Sequence, residues 1–292
     1  MNISKSDLQD MYNKYRLLGD TNVAIVDLAR LVYKADSFTK YDAFALLHYD
    51  ISQNTITVII EDKVSGLNMS LSAYSILNWA HEISNNSKLS YDESINMRLI
   101  GSSTVFLDST FKQLEFNELD LSMLNISNVE STSNAFYCTR INKLILPKYG
   151  ASKIRDTSFM FQQAKIKSIE NFNILTTELY NATRMFEEST IKCSLDLTSL
   201  GVSNKFKNTS MFEFCKVSGI IDISTWEFED YIDIDLFNSH HGPHKILVSN
   251  PRIKEYLIKD QGYSIDEQYA INQGHLSIEN IPSDEILLLT SH

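Results

Sequence analysis

His240, His241 and His244 form the densest set of potential metal ligands in the chain. Three imidazoles can hold a zinc ion and leave its fourth position open for water or substrate. Gly242 and Pro243 lie between them, which marks a turn, and no cysteine or carboxylate completes the set at a metal-site spacing. A solvated loop is therefore the expectation, with no metal and no cofactor. Cys138, Cys193 and Cys215 show no ligand spacing either, and are expected to be reduced. The chain has no glycine-rich phosphate loop, no HExxH and no nucleophile elbow. Catalysis is not expected, with an activity housed in the N-terminal ninety residues as the remaining alternative.

A second constellation is electrostatic. Asp120, Ile145, Glu170, Asp196, Asp222 and Leu247 each sit inside a short extended run, such as Leu119-Asp120-Leu121, Leu195-Asp196-Leu197 and Ile221-Asp222-Ile223. Side chains alternate along a strand, so the outer residues of each run enter a core while the middle one meets solvent. If the runs lie side by side, four acids share one face, flanked by Glu118, Lys143, Ser168, Ser194 and Thr198. Adjacent carboxylates repel by roughly 1 kcal/mol at about 4 Å in water, so the column gains from a cation or a basic partner. The competing reading is that the acids belong to the fold itself.

The element that positions them is a repeat. Phe111, Phe136, Phe161, Phe186, Phe212 and Phe237 are spaced by 25, 25, 25, 26 and 25 residues. Five residues after the first five stand Phe116, Ile141, Ile166, Ile191 and Val217, and three before four of them stand Ser133, Ser158, Thr183 and Thr209. Several columns in phase at a period in the twenties mean a solenoid, in which each unit buries its apolar face on its neighbours. One parallel strand per repeat would lie at about 4.8 Å spacing. The third run is irregular, with Asn171 where an apolar residue is expected.

The run from Leu119 to Phe136, LDLSMLNISNVESTSNAF, resembles the repeat of BspA-like bacterial surface proteins, a leucine-rich-repeat-like family. The matching positions are Leu119-Asp120-Leu121-Ser122, Leu124, Ser127-Asn128-Val129, Ser133 and Phe136, and the resemblance extends over about residues 95 to 248. It implies a strand-faced solenoid that binds proteins or surfaces, with no catalytic residues. That family also places Asp in the middle column, which keeps the structural reading of the acids open. Its surface members begin with an export signal, whereas this chain begins MNISKSDLQDMYNKY, and no run is apolar and long enough to span a bilayer. Cytoplasmic residence is the expectation.

The fold class expected is α+β: a small N-terminal α+β domain over 1–92, the solenoid over 93–248 and a C-terminal capping region over 249–292. A first helix is expected with Ser6 as its cap and Gln9 at the capping-box position, and a second from Thr21 through Lys34. A hairpin over 43–60 and a helix over 71–83 follow, and past the solenoid come a helix over 251–259 and extended pieces over 276–281 and 285–289.

With 26 Lys and Arg against 37 Asp and Glu, the net charge is −11. That disfavours direct nucleic-acid binding. The sequence thus points to a noncatalytic scaffold that meets a basic protein partner through Asp120, Lys143, Ile145, Glu170, Asp196 and Asp222. An acidic inhibitor, encoded by a phage or other mobile element, that occludes a nucleic-acid-binding surface of a host enzyme is the alternative.

Overall fold

Phe111, Phe136, Phe161, Phe186 and Phe212 form a single buried column, each ring 0% exposed. Successive ring centroids stand 5.3, 5.0, 5.4 and 5.5 Å apart, with planes within 8° of parallel. Each ring sits at the centre of a tight turn whose residues two before and two after it have positive φ: Ser109 and Gln113, Asn134 and Cys138, Phe159 and Gln163, Arg184 and Glu188, Ser210 and Phe214. None of these is glycine, and the left-handed conformation costs roughly 1–2 kcal/mol at each. The turns are stitched coil to coil: Asn134, Phe136 and Cys138 donate their N–H groups to the carbonyls of Ser158, Met160 and Gln162 at 3.0, 2.9 and 2.8 Å. Burial of a phenylalanine contributes about 1.5–3 kcal/mol, ring stacking about 0.5–1.5 and each hydrogen bond about 1. Together they outweigh the strain of the two left-handed residues.

The computed structural model describes residues 3–19, 21–35, 43–61, 69–83, 95–101, 105–127, 129–148, 153–172, 176–227, 234–237, 245–265 and 286–290. Helix α1 (Lys5–Tyr15) is capped by Ser4 with Asp7 completing the capping box, two residues earlier than the Ser6–Gln9 pairing expected. The second expected helix is absent: its residues form strand β1 (Thr21–Asp27), a short 3-10 helix (Leu28–Leu31) and strand β2 (Val32–Ala35). The hairpin of β3 (Phe44–Asp50) and β4 (Thr55–Ile60) is present, with β1 antiparallel to β3. Strand β5 (Met69–Leu71), helix α2 (Ala73–Ile83), strand β6 (Ile95–Gly101) and strand β7 (Val105–Phe106) complete the N-terminal region. Helix α1 packs Leu8 against Leu46 and Ile59 on one side of the β1–β3–β4 sheet, while α2 places Ile76 and Ala80 in the main core on the other. Ala73 N–H donates to Thr110 O at 3.1 Å, which fixes α2 over the first turn of the Phe column.

The solenoid then runs through β8 (Glu115–Leu124), β9 (Arg140–Ile145), β10 (Lys165–Glu170), β11 (Thr176–Asn181), β12 (Thr190–Ile191), β13 (Leu195–Asp196), β14 (Leu200–Lys207), β15 (Lys216–Val217) and β16 (Ile221–Asp222). One sheet, ordered β1-β3-β4-β6-β8-β9-β10-β12-β15, is continuous from the N-terminal hairpin into the repeats, and every pairing from β4 onward is parallel. The columns read from the sequence are in register, with Phe116, Ile141, Ile166, Ile191 and Val217 opposite one another. The back of the coils carries bridges from Ser131 to Asp156 to Asn181, and the β11–β14 pair. Asn171 has a φ of 59°, and its amide donates to Leu146 O at 3.2 Å.

Beyond the repeats, strand β17 (Lys245–Val248) is parallel to β16 on one edge and antiparallel to β19 (Ile286–Thr290) on the other, and β19 carries β18 (Tyr263–Ile265). Helix α3 (Pro251–Lys259) sends Tyr256 against Phe237, rings parallel within 3° at 6.4 Å, so the aromatic column continues past the last repeat. The extended piece expected over 276–281 lies outside the described residues.

Phe161 is flanked by two stacked rings, so Phe161→Ala is expected to cost about 3–5 kcal/mol, as fully buried aromatic truncations do. Thermal and urea melts check it. At Cys138, which is exposed with a φ of 54°, Gly should be neutral or stabilising by up to about 1 kcal/mol, whereas Val should destabilise by more than about 1. The same melts decide between relief and addition of strain.

Candidate interaction surface

The outer face of the strands carries rows of polar side chains repeated coil by coil. Asn142 donates its amide to Asn117 at 3.1 Å, and Asn117 donates to Asn96 at 2.9 Å, forming an amide ladder over three strands. The Asn142–Asn117 bond runs between coils joined by the phenylalanine stack, and the Asn117–Asn96 bond extends the ladder to β6 of the N-terminal region.

The acid column takes a different form from the one expected. Asp120, Ile145 and Glu170 are opposite one another on β8, β9 and β10. Asp196, Asp222 and Leu247 are opposite one another on β13, β16 and β17, in a separate sheet, and no ladder pair joins Glu170 to Asp196. The break occurs because β10 is a single strand, whereas the next coil bends at Lys192–Ser194 and splits into β12 and β13. The bend repeats one coil later at Ser218–Ile220, where the Ser194 hydroxyl accepts from Ile220 N–H at 3.1 Å. A β-carbon at Gly219 would lie 2.2 Å from that hydroxyl, so only glycine fits.

Much of the column is neutralised from within. Asp120 is only 7% exposed and its Oδ2 lies 2.8 Å from Arg98 Nε. Lys143 stands between Glu118 at 3.5 Å and Glu170 at 3.2 Å, and these contacts, led by the Glu170 bond, raise its pKa. Ile145 is half-buried. The aspartates also hold the turn that follows each strand: Oδ1 of Asp120, Asp196 and Asp222 accepts the N–H of Ser122, Thr198 and Ser224 at 2.9, 3.0 and 3.0 Å. Hydroxyl residues two positions after an Asp make such turns. The Asp-x-Ser/Thr spacing is therefore structural at all three, and among the described residues Asp196 and Asp222 alone of the acid column form no ion pair.

A cationic set on the same face escaped the reading of the sequence. Register places Glu115, Arg140, Lys165, Thr190 and Lys216 opposite one another, on one side of the buried Phe116 to Val217 row. Lys167 and Lys192 stand on its other side, one residue after Ile166 and Ile191. Arg140 is paired with Glu115 at 2.6 Å. Lys165, Lys167, Lys192 and Lys216 are exposed, and none of them forms an ion pair among the described residues. Arg140, Lys165, Lys167 and Lys192 line a cleft of about 300 Å³ floored by Ile141 and Ile166. The signal was legible, since each of these residues lies four or six positions after one of Phe136, Phe161, Phe186 and Phe212.

The remaining reactive groups are held quiet. Burial pushes the Cys215 thiol up to about 12 and raises Cys193 as well, so neither is a ready nucleophile. Among the described residues no three His, Cys, Asp or Glu side chains are grouped to hold a metal, and His240, His241 and His244 lie outside those residues. Among them, too, no helix is long and apolar enough to cross a membrane. Burial raises the Glu187 carboxyl, an effect opposed by a hydrogen bond from Gln162 and by Arg184 at 3.7 Å.

Residues 104–235 match a family described as "Mycoplasma protein of unknown function, DUF285", a stretch that begins just before Phe111 and ends just before Phe237. No curated protein and no solved structure matches the chain.

Two carboxyls should leave opposite marks on stability. Burial raises Asp120, but hydrogen bonds from Ser122 and the Arg98 charge outweigh it and hold the group below the usual carboxylate range. Its contribution is present above the unfolded pKa and is lost as pH falls through the folded one. Glu187 is raised, so its ionisation is a penalty that is absent in acid and full above the folded pKa. Asp120→Asn should therefore lower the melting temperature at neutral pH and Glu187→Gln should raise it, with both differences shrinking toward pH values near 3 to 4. Melts across that range check the signs.

Proposed function

We propose that the protein is a noncatalytic interaction scaffold that presents the strand face of its solenoid to a protein partner. The supporting observation is the in-register display of charged and polar rows on coils locked by the phenylalanine column. Such a surface is preorganised, and preorganisation reduces the ordering cost of association. The resemblance to BspA-like repeats supports the same reading.

The face is divided in charge at the Lys192–Ser194 bend. Asp196 and Asp222 lie beyond it, and a basic segment of the partner meets them there. Electrostatic contacts of this kind set association rate and specificity and weaken with salt.

Affinity capture from source-cell lysate, followed by titration of the purified partner, tests the proposal. Asn at positions 196 and 222 keeps the turn acceptor while removing the charge. Asp196→Asn with Asp222→Asn should therefore weaken the partner by about tenfold and leave the melt unchanged. Lys205→Glu, on β14 at the back, should have no effect. Equal loss in both variants, or in neither, would move the interaction off the strand face.

A further inference from the structure

We propose that the lysine-lined cleft between β9, β10 and β12 binds an extended acidic peptide segment, an assignment that rests on the scaffold reading above. In a chain of net charge −11, four neighbouring lysines without ion-pair partners among the described residues are the exception. Lys165 and Lys167 on β10, Lys192 just after β12 and Lys216 on β15 gather in one patch, and three of them rim the cleft. Every carboxylate that the coils could have supplied along this row is confined to its upstream end, where Glu115 already holds Arg140.

The dimensions suit a peptide. Lys165 and Lys167 are two residues apart on one strand, roughly 6.6 Å, which is also the separation of alternate side chains in an extended ligand. Lys167 and Lys192 are one rung apart, about 4.8 Å. A segment with acids at alternate positions can thus meet the lysines with one face while its intervening side chains point away from the sheet. A cleft of about 300 Å³ holds a few side chains, not a folded domain.

A nucleic-acid strand fits less well. The aromatic ring that lines the cleft, Phe116, is only 1% exposed and offers no face for stacking a base.

Fluorescence anisotropy with the full chain provides the test. The probes are a labelled alternating glutamate–isoleucine peptide of about eight residues, its lysine–isoleucine counterpart, and an oligothymidylate of similar length. The acidic peptide should bind best, and Lys165→Gln with Lys192→Gln should weaken it at least about tenfold, as should raising salt from about 50 to about 300 mM. Lys112→Gln, on a turn, should change nothing. If the double variant folds poorly, Lys167→Gln alone should still give a several-fold loss, since that side chain is exposed. Oligothymidylate binding as tightly would make the cleft a nucleic-acid surface, and acidic-peptide binding that ignores the variants would place it elsewhere; either overturns the assignment. If the acidic peptide fails to bind while the Asp196 and Asp222 variant still weakens the captured partner, this assignment falls and the scaffold reading stands.

Discussion

Every coil of this protein is placed by the contact between one phenylalanine ring and the next. A centroid spacing of 5.0 to 5.5 Å is close to the 4.8 Å rise between parallel strands, so an offset stack of rings and a ladder of backbone hydrogen bonds can share one translation. That coincidence lets ordinary residues such as Arg184, Glu188 and Gln163 occupy left-handed backbone. Their side chains lie on the outside of a turn whose inside is filled, and the inter-coil hydrogen bonds repay the strain. The stack loosens at Phe212 and Phe237, where the rings tilt by 41° at 6.3 Å, and there aromatic residues of the C-terminal region take over, Tyr256 from one direction and Tyr263 from another.

The same translation governs the surface. Once the core columns are in register, the residues between them must also align, whatever their charge. Like charges then face one another at about 4.8 Å, and the chain manages them in two ways. It places opposite charges on neighbouring strands, as at Arg98 and Asp120 or at Glu118, Lys143 and Glu170. It uses aspartates as turn acceptors, which draws their charge toward backbone N–H groups. Along the lysine row it does neither, and that is where uncompensated charge accumulates.

Helix α1 and strand β1 show where local reasoning misled. Val23 and Ile25 pack with α1 on one side of the sheet while Ala24 and Val26 meet the main core on the other. A strand covered on both faces loses its alternation, and Val23, Ile25, Leu28 and Leu31 then pass for a helical stripe. Tertiary pairing with β3 decided the matter, because only the fold supplies the second covering layer.

By itself the sequence determined the solenoid, its period, the buried phenylalanine column and the helix over Pro251–Lys259, since each is written in residues whose burial repeats at fixed spacing. The Asp-x-Ser/Thr positions were equally visible, but their chemistry was not: the same letters serve a binding column or a turn, and only hydrogen-bond geometry separates the two. Tertiary structure alone decided that the acid column is split at the Lys192–Ser194 bend, that Arg98 and Lys143 neutralise its first half, and that Lys165, Lys167 and Lys192 gather over a cleft. The reason is physical: a repeat fixes which residues are equivalent, whereas net charge at a point in space depends on which neighbours the coils bring within a few ångströms, and on a backbone bend the period does not encode.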